Sequence, residues 1–245
     1  STSRRQRQMC IRDSFRSDHL ELETKSTIHD VVTKVDKLSE SMLIERIGQC
    51  FPDHSVLGEE SGEHDAHSNY LWVVDPLDGT NNYSQGLPVF CVSIGLQYRG
   101  ETLLGVVYAP YLNELYTAIR GKGAFLNNAP IHVSGKMELD RSVLATGFPY
   151  DKGIHPVNNI DNLSRILPHL RGIRRMGSAA YDLCGVAAGF LDGYWELGLK
   201  LWDVCAGVLI VQEAGGCVKP FREDRGIAIL AGNSKIVEKM KEYIN

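Results

Sequence analysis

Hydrophobic positions along the chain follow two different periods, which predicts a mixture of helices and strands. Over residues 33–50 the apolar residues recur at helical spacing, and we predict a helix there. Residues 71–74 form a short continuous apolar run, as in strands buried on both faces. Pro76 cannot donate to a sheet, so this strand must end or bulge there. From Phe90 the period changes to two, which predicts a hairpin with strands near 90–98 and 103–108.

The remaining pattern adds short strands and then an alternation of strand and helix. Further strands are predicted at 114–119, 123–133, 142–145, 193–197 and 226–231, and further helices at 158–170, 178–189, 203–214 and 235–243. This order predicts an α/β protein in which sheets are covered by helices. We expect a single domain over residues 1–245, with an N-terminal half at about 20–140 and a C-terminal half at about 141–245.

The composition is that of an ordinary soluble globular protein. The chain has 245 residues, and 26 Lys+Arg against 30 Asp+Glu give a formal net charge of −4. This charge argues against a nucleic-acid partner, which needs a basic face. No apolar run is long enough to span a bilayer and no secretory signal is visible, so we expect no membrane contact and a cytoplasmic location. The six cysteines lack CxxC spacing, and Cys91, Cys184 and Cys205 lie in apolar stretches. This predicts reduced core thiols and not a disulfide framework or a zinc site.

Three short motifs place carboxylates at the ends of apolar elements. They are Gly58-Glu59-Glu60-Ser61, Asp75-Pro76-Leu77-Asp78-Gly79-Thr80 and Trp202-Asp203-Val204-Cys205-Ala206-Gly207. Asp75 follows a buried strand, so its side chain leaves the sheet at the carboxyl edge, where ligands usually bind. Asp78 lies three residues on, and two carboxylates so close repel unless a cation lies between them. A hard cation with oxygen ligands is the natural partner.

Each motif also has a plainer interpretation. The second motif consists largely of turn residues, and Glu59-Glu60 by itself is typical of a solvated pair. Asp203 by itself is typical of a helix N-cap that accepts the N–H of Cys205 or Ala206. The three motifs together favour the metal site over these interpretations.

Three other features were weighed against plain surface roles. His64 and His67 could form a metal site, but the polar segment around them favours a solvated loop. The arginines at 171, 174 and 175 could reach a second anionic group of a substrate, but surface ion pairs are favoured. The Arg-rich segment 1–16 is interpreted as a solvated end, with a basic arm for a polyanion as the alternative.

The order and spacing of the three acidic motifs resemble the inositol monophosphatase family, a magnesium-dependent and lithium-sensitive superfamily of sugar phosphatases. Additional matches are Asp30-Val31-Val32-Thr33-Lys34-Val35-Asp36, Gly177-Ser178-Ala179-Ala180 and Trp195-Glu196-Leu197-Gly198. The resemblance runs from about residue 25 to the end of the chain and implies alternating αβαβα layers. The stretch before it departs from the family pattern, because it is short, polar and Arg-rich. Cys205 stands where alanine is common.

The resemblance implies two to three Mg²⁺ ions per site. The implied metal ligands are Glu59, Asp75, the Leu77 carbonyl, Asp78 and Asp203. Asp75 would bridge two ions, and Glu59 would also contact a third.

The resemblance further implies how the phosphate and the water are held. The backbone N–H groups of Gly79 and Thr80 would bind the phosphate. The Thr80 hydroxyl, positioned by Asp36, would orient the attacking water, and Ala179 and Glu196 would contact substrate hydroxyls. Glu59, Thr80 and Asp36 are the implied catalytic residues.

The implied function is hydrolysis of a small polyol or sugar phosphate, with inositol 1-phosphate as the first expectation. Histidinol phosphate, fructose 1,6-bisphosphate and a nucleotide phosphate are alternative substrates. A binding or regulatory protein that has the fold without catalysis is the alternative from another class. A homodimer is also implied.

Overall fold

Helices and sheets alternate in five layers in a computed structural model, which describes residues 11, 14–16, 22–24 and 31–245, with 22–24 and 31–32 as backbone alone. The strands are β1 (Leu22–Thr24), β2 (Val31–Thr33), β3 (Ser55–Gly58), β4 (Gly62–His64), β5 (Tyr70–Asp78), β6 (Cys91–Tyr98), β7 (Glu101–Ala109), β8 (Glu114–Ile119), β9 (Ala124–Leu126), β10 (Ala129–Pro130), β11 (Val143–Thr146), β12 (Gly172–Arg174), β13 (Gly193–Leu199), β14 (Cys217–Arg222) and β15 (Ile227–Gly232). The α-helices within the described ranges are α1 (Lys34–Cys50), α2 (Thr80–Ser84), α3 (Ile160–Ile166), α4 (Ala179–Ala187), α5 (Leu201–Glu213) and α6 (Ser234–Met240).

Two sheets carry most of the strands. The larger has the order β10-β9-β8-β7-β6-β5-β3-β4 and is antiparallel apart from the parallel β3–β5 pair. The smaller has the order β12-β11-β13-β15-β14, in which β11 is parallel to both of its neighbours. β1 and β2 form a separate antiparallel pair.

The helices separate and cover these sheets. α4 and α5 lie between them, because α5 packs on β6 and β7 and also contacts β14 and β15. α1 packs on β5, and α6 packs on β14 and β15. Side chains alternate across β13, so that Tyr194 faces the core around α4 and α5 while Trp195 faces the core around α6. The predicted αβαβα class is confirmed.

α5 approaches the large sheet so closely that two strand positions are glycine. A Cβ at Gly105 would lie 2.7 Å from the carbonyl oxygen of Ala206, and a Cβ at Gly95 would strike the Cys205 thiol. Cys205 is buried at this contact, so its departure from alanine is accommodated by the facing glycine. The close packing brings the first turn of α5, which carries Asp203, toward the end of β5.

Several elements differ from the sequence prediction for local reasons. At Pro76 the bulge, one of the two predicted alternatives, is confirmed, and β5 continues to Asp78. α5 begins at Leu201, so the N-cap interpretation of Asp203 is wrong, and Lys200 is the N-cap. β12 and β14 were not predicted because both are edge strands with little alternation of buried and exposed residues.

The structure also bears on the predictions for the N-terminal segment and for the cysteines. Ile11 and Phe15 are buried beside Tyr83 and Phe90, so the interpretation of a solvated start is wrong for these two residues. Residues 1–10, 12 and 13 of this segment lie outside the described residues. Cys91, Cys184 and Cys205 are free and buried, which confirms the predicted core thiols. None of the helices within the described ranges combines the length and apolar character of a membrane span.

The close approach of α5 predicts a steric effect at Gly105. Gly105→Ala should lower the free energy of unfolding by about 1–3 kcal/mol, because the added methyl group meets backbone that cannot move away. Gly48→Ala is the control, since a Cβ at this helical position has no atom within 4 Å. It should be neutral or stabilising by up to about 1 kcal/mol. Urea unfolding measures both, and equal effects would contradict the packing described here.

Candidate active site

A cavity of about 320 Å³ opens where β5, β11 and β13 end and where α4 and α5 begin. Six carboxylates and two cationic side chains line it. The carboxylates are those of Glu59, Asp75, Asp78, Asp182, Glu196 and Asp203, and the cations are Arg175 and Lys200. Leu77, Gly79, Thr80 and Ala179 are also in the wall, so every predicted site residue borders the cavity except Asp36. Asp36 lies directly behind Thr80.

A bulge in β5 brings its two aspartates to the same side. Asp75 pairs with Ser93 and Asp78 pairs with Cys91, so three steps along β5 match two steps along β6. In a regular strand, residues three apart point to opposite faces, whereas the extra residue of a bulge corrects the direction of the second. Both carboxylates therefore reach the cavity. The Leu77 N–H donates to Asp75 Oδ1 at 3.0 Å and fixes the turn between them.

Thr80 is held from behind by a buried aspartate. The Thr80 hydroxyl donates to Asp36 Oδ1 at 2.8 Å, and the Leu77 carbonyl lies 3.0 Å away as a second acceptor. Asp36 is fully buried, and its other oxygen accepts the N–H of Thr33 at 2.8 Å and the Thr33 hydroxyl. Gly79 turns the chain from β5 into α2 with φ of 97°, a left-handed conformation that favours glycine.

Asp78 is fixed by the start of α4. Its Oδ2 accepts the Ser178 hydroxyl at 2.8 Å and the Ala180 N–H at 2.7 Å. The free N–H groups and dipole at a helix N-terminus favour a carboxylate in this position. The Gly-Ser-Ala-Ala motif had indicated a substrate contact at Ala179, but the role of the Ser178 hydroxyl was missed.

The remaining two acidic motifs have their own anchors. Glu40 is a buried residue of α1 whose carboxylate accepts the N–H groups of Glu60 at 2.9 Å and Ser61 at 2.8 Å, which holds the loop that carries Glu59. Asp203 Oδ2 accepts the Lys200 N–H at 2.7 Å and closes the first turn of α5. Sequence reasoning missed Glu40, because a charged residue on a predicted helix gives no sign of burial.

Glu196 and Asp182 form the opposite wall. Tyr194, fully buried, donates its hydroxyl to Glu196 Oε2 at 2.6 Å. Asp182 lies on α4, three residues after Ala179, and has 2% of its surface exposed. That spacing placed it on the same helical face as Ala179, so helical periodicity could have indicated it.

Burial and mutual repulsion disfavour the charged forms of these carboxylates. Burial, and then the charges of Glu59, Asp78 and Asp203, raise the pKa of Asp75 well above its usual range. Burial raises the pKa of Asp78 to about 6, against the hydrogen bond from Ser178. The pKa of Asp203 is also raised, by burial and by Asp78. These directions indicate a site that is short of positive charge.

The donor set fits a hard divalent cation. Glu59, Asp75, Asp78 and Asp203 supply carboxylate oxygens, and Leu77 can supply a carbonyl oxygen. Within the described ranges, no group of three or more His, Cys, Asp or Glu side chains is arranged to hold a metal ion by itself. An open set of this kind would need its carbonyl and water ligands to complete the coordination, as is usual for Mg²⁺.

Two of the weighed alternatives have a clear outcome. His67 is exposed and pairs with Asp65 at 3.0 Å, so the loop interpretation fits it. His64 is also exposed and lies 2.7 Å from the Ser61 hydroxyl, but it ends the short strand β4 and is not in a loop. Arg175 of the arginine cluster is exposed, which agrees with the surface interpretation, but it does not lie away from the cavity. This residue borders the cavity, and its charge acts on Glu196.

Known proteins resemble this chain over nearly its whole length. A sequence profile described as "Inositol monophosphatase family" matches residues 5–243. The chain belongs to the inositol monophosphatase family. This confirms the resemblance found in the acidic motifs.

Individual members of the inositol monophosphatase family carry two kinds of name. The chain is 48% identical over 207 residues to "Nus factor SuhB" of Pasteurella multocida, which covers 84% of this chain and 77% of that protein. It is 43% identical over 230 residues to "Inositol-1-monophosphatase" of a Synechocystis strain, which covers 91% and 80%. The crystal structure of extragenic suppressor protein suhB from Bartonella henselae matches with a TM-score of 0.89 at 37% identity, over 97% of this chain and 93% of that one.

The raised pKa values predict a pH-dependent response to Mg²⁺. Folding raises the pKa of Asp78 from 3.8 to about 6, so between these values the folded metal-free protein holds more protons than the unfolded chain. Its stability therefore falls as the pH rises through this window. A cation must displace these protons, so the rise in Tm caused by excess Mg²⁺ over EDTA should be larger at about pH 8 than at about pH 5. Thermal unfolding measures it, and an equal rise at both pH values would count against this cation site.

Proposed function

We propose that this protein is a Mg²⁺-dependent phosphomonoesterase that acts on a small polyol or sugar phosphate, with inositol 1-phosphate as the first substrate to test. One observation carries the proposal. The bulge in β5 directs Asp75 and Asp78 into a cavity that also holds Glu59, Asp203 and the Thr80 hydroxyl.

Two to three Mg²⁺ ions would be held by Glu59, Asp75, the Leu77 carbonyl, Asp78 and Asp203. The four carboxylates carry a charge of −4 when ionised, and a phosphate monoester dianion adds −2. When bound, Mg²⁺ would offset this charge, lower the pKa of a water molecule and polarise the phosphate. After burial, the charges of Glu59, Asp78 and Asp203 all raise the pKa of Asp75, so Asp75 interacts with each of the other three carboxylates. This supports a bridging role.

Thr80 would orient the attacking water. A hydroxyl has one hydrogen and two lone pairs. Because that hydrogen is donated to Asp36, the oxygen of Thr80 is left to accept a hydrogen from water and to direct the water oxygen toward phosphorus. Thr33 keeps Asp36 in place by donating to its second oxygen. The water proton that leaves during attack would be taken up by the Glu59 carboxylate, which lines the same cavity as Thr80.

The phosphate and the alcohol would occupy different parts of the cavity. The N–H groups of Gly79 and Thr80 would bind phosphate oxygens, because the chain enters α2 there. Ala179 and Glu196 lie in the wall formed by α4 and β13 and would contact substrate hydroxyls. The Tyr194 hydroxyl fixes the Glu196 carboxylate for that contact.

The name of the Synechocystis relative supports inositol 1-phosphate as substrate. Histidinol phosphate, fructose 1,6-bisphosphate and a nucleotide phosphate are the alternatives, and Arg175 at the cavity would suit substrates with a second anionic group. A panel of these compounds, each with Mg²⁺ and with EDTA, identifies the substrate by phosphate release. The implied homodimer, the cytoplasmic location and the absence of a nucleic-acid partner stay predictions.

A second role is favoured by the relatives named Nus factor SuhB, at 43–48% identity. Such a role would be separate from hydrolysis if it does not need the cavity. In a bacterium that lacks its own Nus factor SuhB, the wild-type chain and an Asp75→Asn variant can be compared. If both proteins restore the function of the missing Nus factor equally, this role lies on a surface outside the cavity. If neither restores it, this candidate role is removed.

Removing Asp75 should abolish turnover without unfolding the protein. Asp75→Asn should lower kcat for inositol 1-phosphate by about 10³-fold or more, since metal ions supply several kcal/mol of transition-state stabilisation. In EDTA its Tm should be equal to or above that of the wild type, because one repelling charge is gone. Asp224→Asn, a change at an exposed ion pair with Arg222, is the control and should keep full activity. Activity in Asp75→Asn would contradict the assignment.

The Thr80 hydroxyl should matter more than its methyl group. Thr80→Val should lower kcat by about 10²- to 10⁴-fold, the usual range for a group that handles the attacking water. Thr80→Ser should stay within about tenfold of the wild type, because it keeps the hydrogen bond to Asp36. Steady-state kinetics at saturating Mg²⁺ measure both, and similar losses in the two variants would argue for a packing role instead.

A further inference from the structure

Two side-chain oxygens within the described ranges are buried without a hydrogen-bond partner, and both belong to aspartates. They are Asp182 Oδ1 and Asp192 Oδ1. The carboxylate of Asp192 is held through its other oxygen, because Oδ2 accepts from Lys136 at 2.9 Å and from the Val143 N–H at 2.7 Å. Asp192 does not border the cavity. Asp182 borders the cavity although Oδ1 itself is buried, so its carboxylate is available to a ligand there.

The charges around Asp182 indicate which chemical group of a ligand fits there. Its charge interacts most strongly with Glu196 on β13, then with Asp78, and it is partly compensated by Arg175. An unpaired carboxylate oxygen that is removed from water is costly, and the cost is relieved by a hydrogen-bond donor. Arg175 offsets only a small part of this repulsion, so any hydrogen-bond donor relieves it, and an alcohol hydroxyl is the donor that a polyol substrate supplies.

We infer that Asp182 is a substrate-binding residue whose carboxylate accepts a hydrogen bond from a hydroxyl of the polyol. This inference rests on the proposed phosphatase function. Glu196 approaches the same part of the cavity from β13, so the two carboxylates contact neighbouring hydroxyls of one substrate. A substrate that lacks the hydroxyl leaves Asp182 unsatisfied, which makes this residue a determinant of specificity for polyol phosphates over simple phosphate esters.

A comparison of two substrates separates hydroxyl recognition by Asp182 from a general effect on catalysis or folding. Asp182→Ala should lower kcat/KM for inositol 1-phosphate by about 10- to 100-fold, mainly through KM, which is the usual effect of losing a hydrogen bond to a charged group. For p-nitrophenyl phosphate, which has no hydroxyl on its leaving group, kcat/KM should change by less than about threefold. Asp182→Asn keeps the shape and an oxygen acceptor, and its selective loss should be smaller, about three- to tenfold.

Asp192→Asn is the matched control, because it alters the other buried aspartate with an unpartnered oxygen. It should leave kcat/KM for both substrates within about twofold, even if its Tm falls. Should Asp182→Ala fail to fold, Asp182→Asn provides the same substrate comparison.

Deoxy analogues of inositol 1-phosphate identify the hydroxyl. The analogue that lacks it should bind the wild type as weakly as the intact substrate binds Asp182→Ala, with no further loss when the two changes are combined. Equal losses on both substrates, no loss on either, or fully additive losses for every deoxy analogue would overturn the inference. If the wild type hydrolyses p-nitrophenyl phosphate but not inositol 1-phosphate or another polyol phosphate, polyol recognition is wrong. If it hydrolyses nothing, the proposed function itself fails.

Discussion

Mutual repulsion among four carboxylates in one cavity is the constraint on which the rest of the structure depends. Glu59, Asp75, Asp78 and Asp203 come from three distant parts of the chain and would separate if the backbone allowed it. Burial increases this cost, because charged groups lose the water that would otherwise screen them. The fold withstands the repulsion through rigid packing around the cavity, and a cation of oxygen chemistry would turn the same repulsion into attraction.

Each carboxylate is held by a different physical device. The β5 bulge directs Asp75 and Asp78 to one side, and the start of α4 provides hydrogen bonds to Asp78. Glu40 clamps the loop that carries Glu59. The close packing of α5 against the glycines of β6 and β7 brings in Asp203. Packing and hydrogen bonds therefore offset the repulsion among these carboxylates, and such a loss of stability is common at catalytic sites.

Much of this arrangement could be predicted from the sequence, and the exceptions have physical reasons. The helical pattern of α1, the buried run of β5 and the turn residues around Pro76 are local signals, and they located most elements and the acidic motifs. Pro76 allowed either an end or a bulge, and only pairing with β6 decides between them. The burial of Glu40 depends on contacts between distant segments, which no local pattern encodes, whereas the helical spacing from Ala179 could have indicated Asp182.

Under the proposed function, the two sides of the cavity have different roles. The side formed by β5 and the first turn of α5 is suited to cations and phosphate, while the wall formed by α4 and β13 carries Glu196 and Asp182. Anomalous diffraction from crystals soaked in Mn²⁺, a cation with similar ligand preferences to Mg²⁺, tests the central claim most directly. We expect at least two peaks about 3.5–4 Å apart on the first side, with Asp75 between them. Crystals that show no peak in this cavity, or peaks only elsewhere on the protein, would contradict the assignment of these carboxylates as metal ligands.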